Sequence, residues 1–233
     1  MLSWRKAKMG KRLRYVALNI QRLPLKGVLL LLLCVDTAFI AFNLLYSGES
    51  SNFYIDADRG YPEMFIYGKV ALIVLLIALV AILCRSLLYL CWSLLFLFLL
   101  LDDYLQIHEI LGLVVAQKLG FSSWLGLSPS DFGELAVWAF FGLPPLLAIA
   151  ILQILRRDRK LVAWSRYLLV MLGALVLTGG VFDMLHQVFQ DHSLLEPLFR
   201  VADDGGEMAV WSATLWIVLL IAQDSLASGI NRR

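Results

Sequence analysis

Long apolar runs alternate with short polar stretches along the chain, and acidic and basic residues fall at opposite ends of those runs. Apolar segments of bilayer-spanning length, about 20 residues, recur at 27–46, 63–84, 86–108, 132–155, 162–187 and 200–223. Apolarity sustained over such lengths predicts membrane-spanning helices instead of the amphipathic helices of a soluble fold. The expected fold is all-α: a polytopic transmembrane bundle of six helices in a single domain over 27–226. A basic segment (1–26) precedes it and a short tail (227–233) follows.

Composition agrees. Of 233 residues, 61% are hydrophobic and 16% charged, which leaves too little polar surface to coat a soluble domain. The net charge of +2 conceals an asymmetry. Residues 1–26 carry eight Lys and Arg and no acid, so the rest of the chain is acidic. Basic residues recur at Arg85, in RRDRK (156–160), at Arg166 and in the closing NRR. The loops 47–62, 118–131 and 188–199 are poor in Lys and Arg and hold Asp and Glu. Six spans with both termini cytoplasmic satisfy the positive-inside rule at every loop. The basic N-terminus fixes that orientation and meets anionic headgroups. Nucleic acid is not an expected partner; the bilayer is, together with a homo-oligomer or a second membrane protein. Cys34, Cys84 and Cys91 lie in or beside apolar segments without CxxC spacing, and read as small hydrophobes.

Self-similarity comes next. GELAVW (133–138) and GEMAVW (206–211) differ at one position, and each opens a span running inward. Each is preceded by a span carrying a similar phrase, DYLQ at 103–106 and DMLH at 183–186. The hairpins 86–155 and 162–223 therefore read as two copies in one orientation, related by an axis along the membrane normal. PEMFIY (62–67) and Asp36 extend the pattern to the hairpin 27–84.

The repeat gives the acids their interest. On the third span, Asp102, Gln106 and Glu109 share a face if the helix is continuous. Asp183, His186, Gln187 and Gln190 stripe the fifth, while Asp203, Asp204 and Glu207 share a turn of the sixth, with Trp211 and Thr214 extending that face. Carboxylates and imidazoles suit a divalent metal, and acid-x-x-His pairs hold metals in helical bundles. His108, Glu109, Glu134, Asp183, His186 and Glu207 are therefore the candidate ligands for zinc, manganese or iron. Asp103 and Asp204 are candidate general bases for a metal-activated water. The symmetric partner of Asp183-x-x-His186 is Asp103-x-x-Gln106, which argues for one asymmetric metal. The bland alternatives are a wet helix end at 102–109 and an ordinary N-terminal cap at DDGGE.

LDDYLQIHEILG and ADDGGEMAVW resemble motifs of uncharacterised multi-pass proteins of bacteria. That resemblance covers the third to sixth spans and implies a bacterial inner-membrane location, with no activity attached. Membrane-embedded zinc hydrolases that include the alkaline ceramidases also combine Asp and His on spanning helices. They use three histidines and seven spans and close on HxxxH, which this chain lacks, so the likeness is one of chemistry. Two functions follow from the residues: a metal-dependent hydrolase acting on a lipid or lipid-linked substrate, or a proton- or cation-coupled transporter or channel. A non-catalytic assembly subunit is the third. The transport route would need Asp36 to carry it inward, because below the outer ring the even-numbered spans turn almost wholly apolar.

Overall fold

The computed structural model describes residues 20, 23–45, 52–124, 126–156, 158–188 and 196–231, excluding the side chains of 186–188, 196–197 and 226–231. Most of the basic N-terminal segment and the last two residues lie outside that set. The helices are α1 (Leu25–Leu45), α2 (Tyr61–Cys84), α3 (Leu87–Tyr104), α4 (Ile107–Leu119), α5 (Pro129–Leu155), α6 (Arg159–Val176), α7 (Asp183–Val188), α8 (Glu196–Arg200) and α9 (Gly206–Asn231). A π-helical segment, π1 (Leu177–Phe182), joins α6 to α7, and a second, π2 (Val201–Gly205), joins α8 to α9. Among the described residues, six helices are long and apolar enough to cross a bilayer. The protein is a multi-pass membrane protein.

The last span is the axis of the bundle. Its apolar window is 61% buried, against 6% for α1 and 11% for α5, which face the surroundings. Helix α9 packs on α1, α2 and α6, while α3 lies between α2 and α5. Val70, Ile73, Ile77 and Val80 recur at three- and four-residue intervals along α2 and bury one face of it against α3 and α9. Trp92 and Phe96 stack on α3, and Phe96 meets Trp211 edge-on.

Lipid offers no hydrophobic drive for helices to associate, so packing and interhelical hydrogen bonds hold the bundle. Two polar clasps stand out. Trp92 and Gln153 both donate to the buried hydroxyl of Ser165, at 2.7 and 2.8 Å, tying α3, α5 and α6 together. The second clasp joins α1, α2 and α9. Lys69 donates to Asp36 at 3.0 Å, to the Met208 carbonyl at 2.8 Å and to Ser212 at 3.2 Å, while Ser212 donates to the other Asp36 oxygen at 2.5 Å. Lys69 also lies 4.7 Å from the centre of the Phe65 ring. Asp36 and Lys69 are almost wholly buried. Asp36 is therefore not an open step on an inward ion path: both its oxygens are taken.

The third span departs most from expectation. It ends at Tyr104, and Gln106 takes a left-handed conformation (φ 51°) before α4 begins. Asp102, Gln106 and Glu109 therefore do not share a helix face. At 13 residues, α4 is too short to span and packs back on α5. That packing needs glycine: a Cβ on Gly133 would stand 2.0 Å from the Gly112 carbonyl oxygen. DDGGE also differs from the capping alternative, because Asp203 and Asp204 sit within π2 and the backbone stays helical from Arg200 into Gly206. Helix α5 remains helical through Pro144–Pro145.

Removing one partner of a buried ion pair leaves an uncompensated charge, at about 3–5 kcal/mol. Lys69→Met is expected to lower thermal stability in detergent by that order. The Lys69→Met, Asp36→Leu double variant should recover most of the loss. A single variant as stable as the wild type would show that the pair does not bind α1 to the bundle.

Candidate functional site

A cavity of about 570 Å³ opens at the end of the bundle opposite Arg85 and the basic 156–160 turn. Five pieces of local structure bring its charged groups. The α3–α4 break supplies Asp102 and Asp103 from one side and His108 and Glu109 from the other. Glu134 comes from the first turns of α5, which a capping box of Ser128 and Asp131 starts. Asp131 is thus spent on the cap. Asp183 follows π1, while Asp203 and Asp204 in π2 precede Glu207 on α9.

The π segments have a physical role here. A π turn inserts a residue into a helix and shifts the side chains beyond it around the axis, and such insertions recur at functional sites. The two π segments pack on each other. Glu207 Oε2 lies against Gly179 of π1, where an added Cβ would stand 3.1 Å away. The glycine leaves room for that carboxylate. The Gly112–Gly133 crossing does the same for the other wall, bringing α4 against Glu134.

Asp102 is the most constrained group. It is 3% exposed. Its Oδ2 faces His108 Nδ1 at 3.0 Å and accepts the Trp138 indole N–H at 3.0 Å. Its Oδ1 is buried and has no hydrogen-bond partner among the described residues. The bond to His108 spans the break between α3 and α4, so it also explains why Gln106 adopts a conformation that costs a non-glycine residue energy. Burial works to lower the His108 pKa, but the Asp102 hydrogen bond and charge, with Glu134 and Glu109, outweigh it. The imidazole, outside the six spans, is held above its ordinary 6.5.

Tyr67, Trp138 and Trp211 form aromatic wall. Each stands four residues after the glutamate of PEMFIY, GELAVW and GEMAVW respectively. Tyr67 donates to Glu63, and Trp211 donates to Glu207 at 3.0 Å. Trp138 reaches across to Asp102 instead. Ile66, Val70, Leu99, Leu172 and Leu175 complete an apolar floor.

Of the candidate residues, Asp103, His108, Glu109, Glu134, Asp183, Asp204 and Glu207 all line this one cavity. The His186 side chain lies outside the described residues, as do Gln187 and Gln190. Thr214 is buried and returns its hydroxyl to the Val210 carbonyl, away from the site. Among the described residues, no three acidic, histidine or cysteine side chains converge as a ready metal-ligand set. The sequence places Asp102 in one wall of a site without a ligand or base role, and gives no role to Tyr67 or Trp138. The available signal was the aromatic donor placed four residues after each repeated glutamate.

Charge is unbalanced. Eight carboxylates line the cavity, and among its described lining residues His108 alone can carry positive charge. Lys69 is committed to Asp36, Arg200 pairs with Asp56 at 3.3 Å, and Lys118 is exposed at the end of α4. Two carboxylates about 6 Å apart repel by roughly 3 kcal/mol at an effective dielectric near 20. Protons, cations or water must make up the difference.

The chain belongs to the family described as domain of unknown function DUF8692, which matches residues 25–222. No curated protein and no solved structure matches it.

A folded-state pKa raised above the unfolded value gives stability that is complete below the unfolded value and is lost as pH rises through the folded one. His108 should contribute in that sense, its share present below pH 6.5 and fading above its raised value. An NMR titration of His108 is expected to give a midpoint above 6.5, falling below it in Asp102→Asn, where burial acts with less opposition. A wild-type midpoint at or below 6.5 would contradict the assigned pair.

Proposed function

We propose that this membrane protein binds cations in an outward-facing carboxylate cavity, taking them up in exchange for protons. The supporting observation is the concentration of eight carboxylates around one imidazole in a single cavity at the end remote from the basic turns. The topology that makes it outward-facing is that of the positive-inside rule. Intramembrane acids that face a water-filled cavity are characteristic of cation and proton sites.

Binding at the outer side fits this geometry better than conduction. Below the cavity the described core is apolar, with Ile73, Ile77, Phe96, Val218 and Ile221 buried. The Asp36–Lys69 clasp, level with Tyr67, Val70 and Trp211 of the cavity lining, is internally satisfied. A transporter built on this site would have to open that clasp.

The hydrolase reading keeps one specific support. A metal-binding histidine commonly gives its other ring nitrogen to a carboxylate, and His108 is so held by Asp102. A metal at Nε2 would need Glu109, Glu134, Asp183 or Glu207 to draw inward, with Asp103 or Asp204 as base. Zinc, manganese and iron are the candidates. A lipid or lipid-linked molecule entering sideways from the bacterial inner membrane would be the substrate.

A ligand at a hundredfold its Kd stabilises by about 2.7 kcal/mol, or roughly 5–10 °C in a protein of this size. A saturable rise of that order is expected for the purified protein with at least one of Na⁺, Mg²⁺, Mn²⁺, Zn²⁺ or a small ammonium ion. It should be lost in the Glu134→Gln, Glu207→Gln double variant. Equal responses in variant and wild type would reject the cavity as the site.

A further inference from the structure

Helices α5 and α6 follow one another in the chain, yet they scarcely meet. Among the described residues, α5 packs on α4 and α3, and α6 packs on α9. Two contacts bracket the gap between them. At one end, an added Cβ on Gly180 of π1 would stand 3.6 Å from the Trp138 ring. Toward the other, Ile149 is wholly buried and Gln153 donates to Ser165 at 2.8 Å. Trp138, Gly142, Ile149 and Gln153 recur on one face of α5. From Trp138 to Ile149 that face runs about 16 Å at 1.5 Å per residue.

Glycines keep that gap clear. Gly142 of α5 and Gly173 of α6 both lie between the two contacts, and a Cβ added at either would meet no neighbouring helix within 4 Å. One turn beyond Gly173, Val176 lines the cavity and is also 57% exposed. Leu172 and Leu175 beside it are buried, and Leu99 and Leu100 of α3 line the same space. The cavity therefore reaches the gap from within, while the bilayer meets it from without along exposed Leu147 and Ile151 of α5. Lipid chains are as apolar as leucine, so neither side of the gap bars one. A chain that displaces water from Leu99, Leu172 and Leu175 removes apolar surface from water, which favours its entry. The space is adequate, since 570 Å³ falls within the range of about 300–1,000 Å³ typical of small-molecule sites. Leu172 and Asp183 stand about 16 Å apart along the helix axis, so one elongated molecule spans both ends.

We propose that the gap between α5 and α6 is a lateral window, through which the cavity takes the hydrocarbon chain of an uncharged, hydroxyl-bearing membrane lipid. The chain passes Gly142 and Gly173 and lies on Leu99, Leu172 and Leu175. Its hydroxyl end rests among the carboxylates, which accept its hydrogen bond. An anionic head is repelled there by like charge. The window depends on how α5 and α6 pack, not on which cation the acids bind, so it goes beyond the cation-binding reading.

The test is photolabelling of the full-length protein in vesicles of phosphatidylethanolamine and phosphatidylglycerol, read residue by residue by mass spectrometry. The probes are hexadecanol and hexadecyl sulfate, each with a C–H-inserting photoreactive group at mid-chain. Both should label bilayer-facing Leu147 and Ile151. The alcohol is expected to label buried Leu172 and Leu175 as well, at least fivefold more than the sulfate does. In the Gly142→Phe, Gly173→Phe double variant, labelling of Leu172 and Leu175 should fall at least fivefold, with Leu147 and Ile151 unchanged. Wild-type protein labelled at Leu147 and Ile151 but not at Leu99, Leu172 or Leu175 overturns the proposal, and that result stands even if the double variant does not fold. Undiminished cavity labelling in a folded double variant overturns the window, and equal labelling by alcohol and sulfate overturns the uncharged head. Cation-induced stabilisation without cavity labelling rejects the window alone; cavity labelling without that stabilisation upholds the window and rejects the cation-binding reading.

Discussion

The Asp36–Lys69 pair is the interaction on which the rest of the bundle depends. A carboxylate and an ammonium buried in a bilayer-embedded bundle are each costly alone, and together they are tolerable only if every lone pair and N–H is used. Here they are: Lys69 reaches Asp36, Met208 and Ser212, and Ser212 returns to Asp36. The clasp fixes peripheral α1 to α2 and to the central α9. It lies beside the acidic cavity, and it commits the Lys69 ammonium to Asp36, Met208 and Ser212.

What remains above the clasp is an excess of acid held by devices that each cost something locally. Gln106 is left-handed, two helices carry π insertions, and α4 crosses α5 with glycine against glycine. Each device bears on the lining of the same cavity. Strain of this kind persists where surrounding structure over-determines it, and it clusters at sites of function. The Asp102–His108 bond is the clearest case, because it both closes the α3–α4 break and builds the cavity wall.

The spans were legible because bilayer-length apolar runs leave little freedom, and the acids were legible because GELAVW and GEMAVW mark corresponding positions. The break after Tyr104 was not. Nothing local in LDDYLQIHEILG forbids a continuous helix; the stop comes from Asp102 holding a histidine six residues away and from α4 docking on Gly133. The π segments were hidden for a similar reason. Asp36 with Lys69 lay beyond reach, since a pairing across 33 residues is set by how α1 meets α2. DDGGE left an ordinary cap open as the alternative to a site, because its glycines suit a cap equally well.

An acid-lined cavity that exchanges protons for cations must release protons when it fills. The most direct measurement is therefore proton release from the weakly buffered, purified protein as a cation is titrated in near pH 7. The account predicts release of about one proton for each charge bound, abolished in the Glu134→Gln, Glu207→Gln variant. Binding with no proton released, or release that survives in the variant, would contradict it.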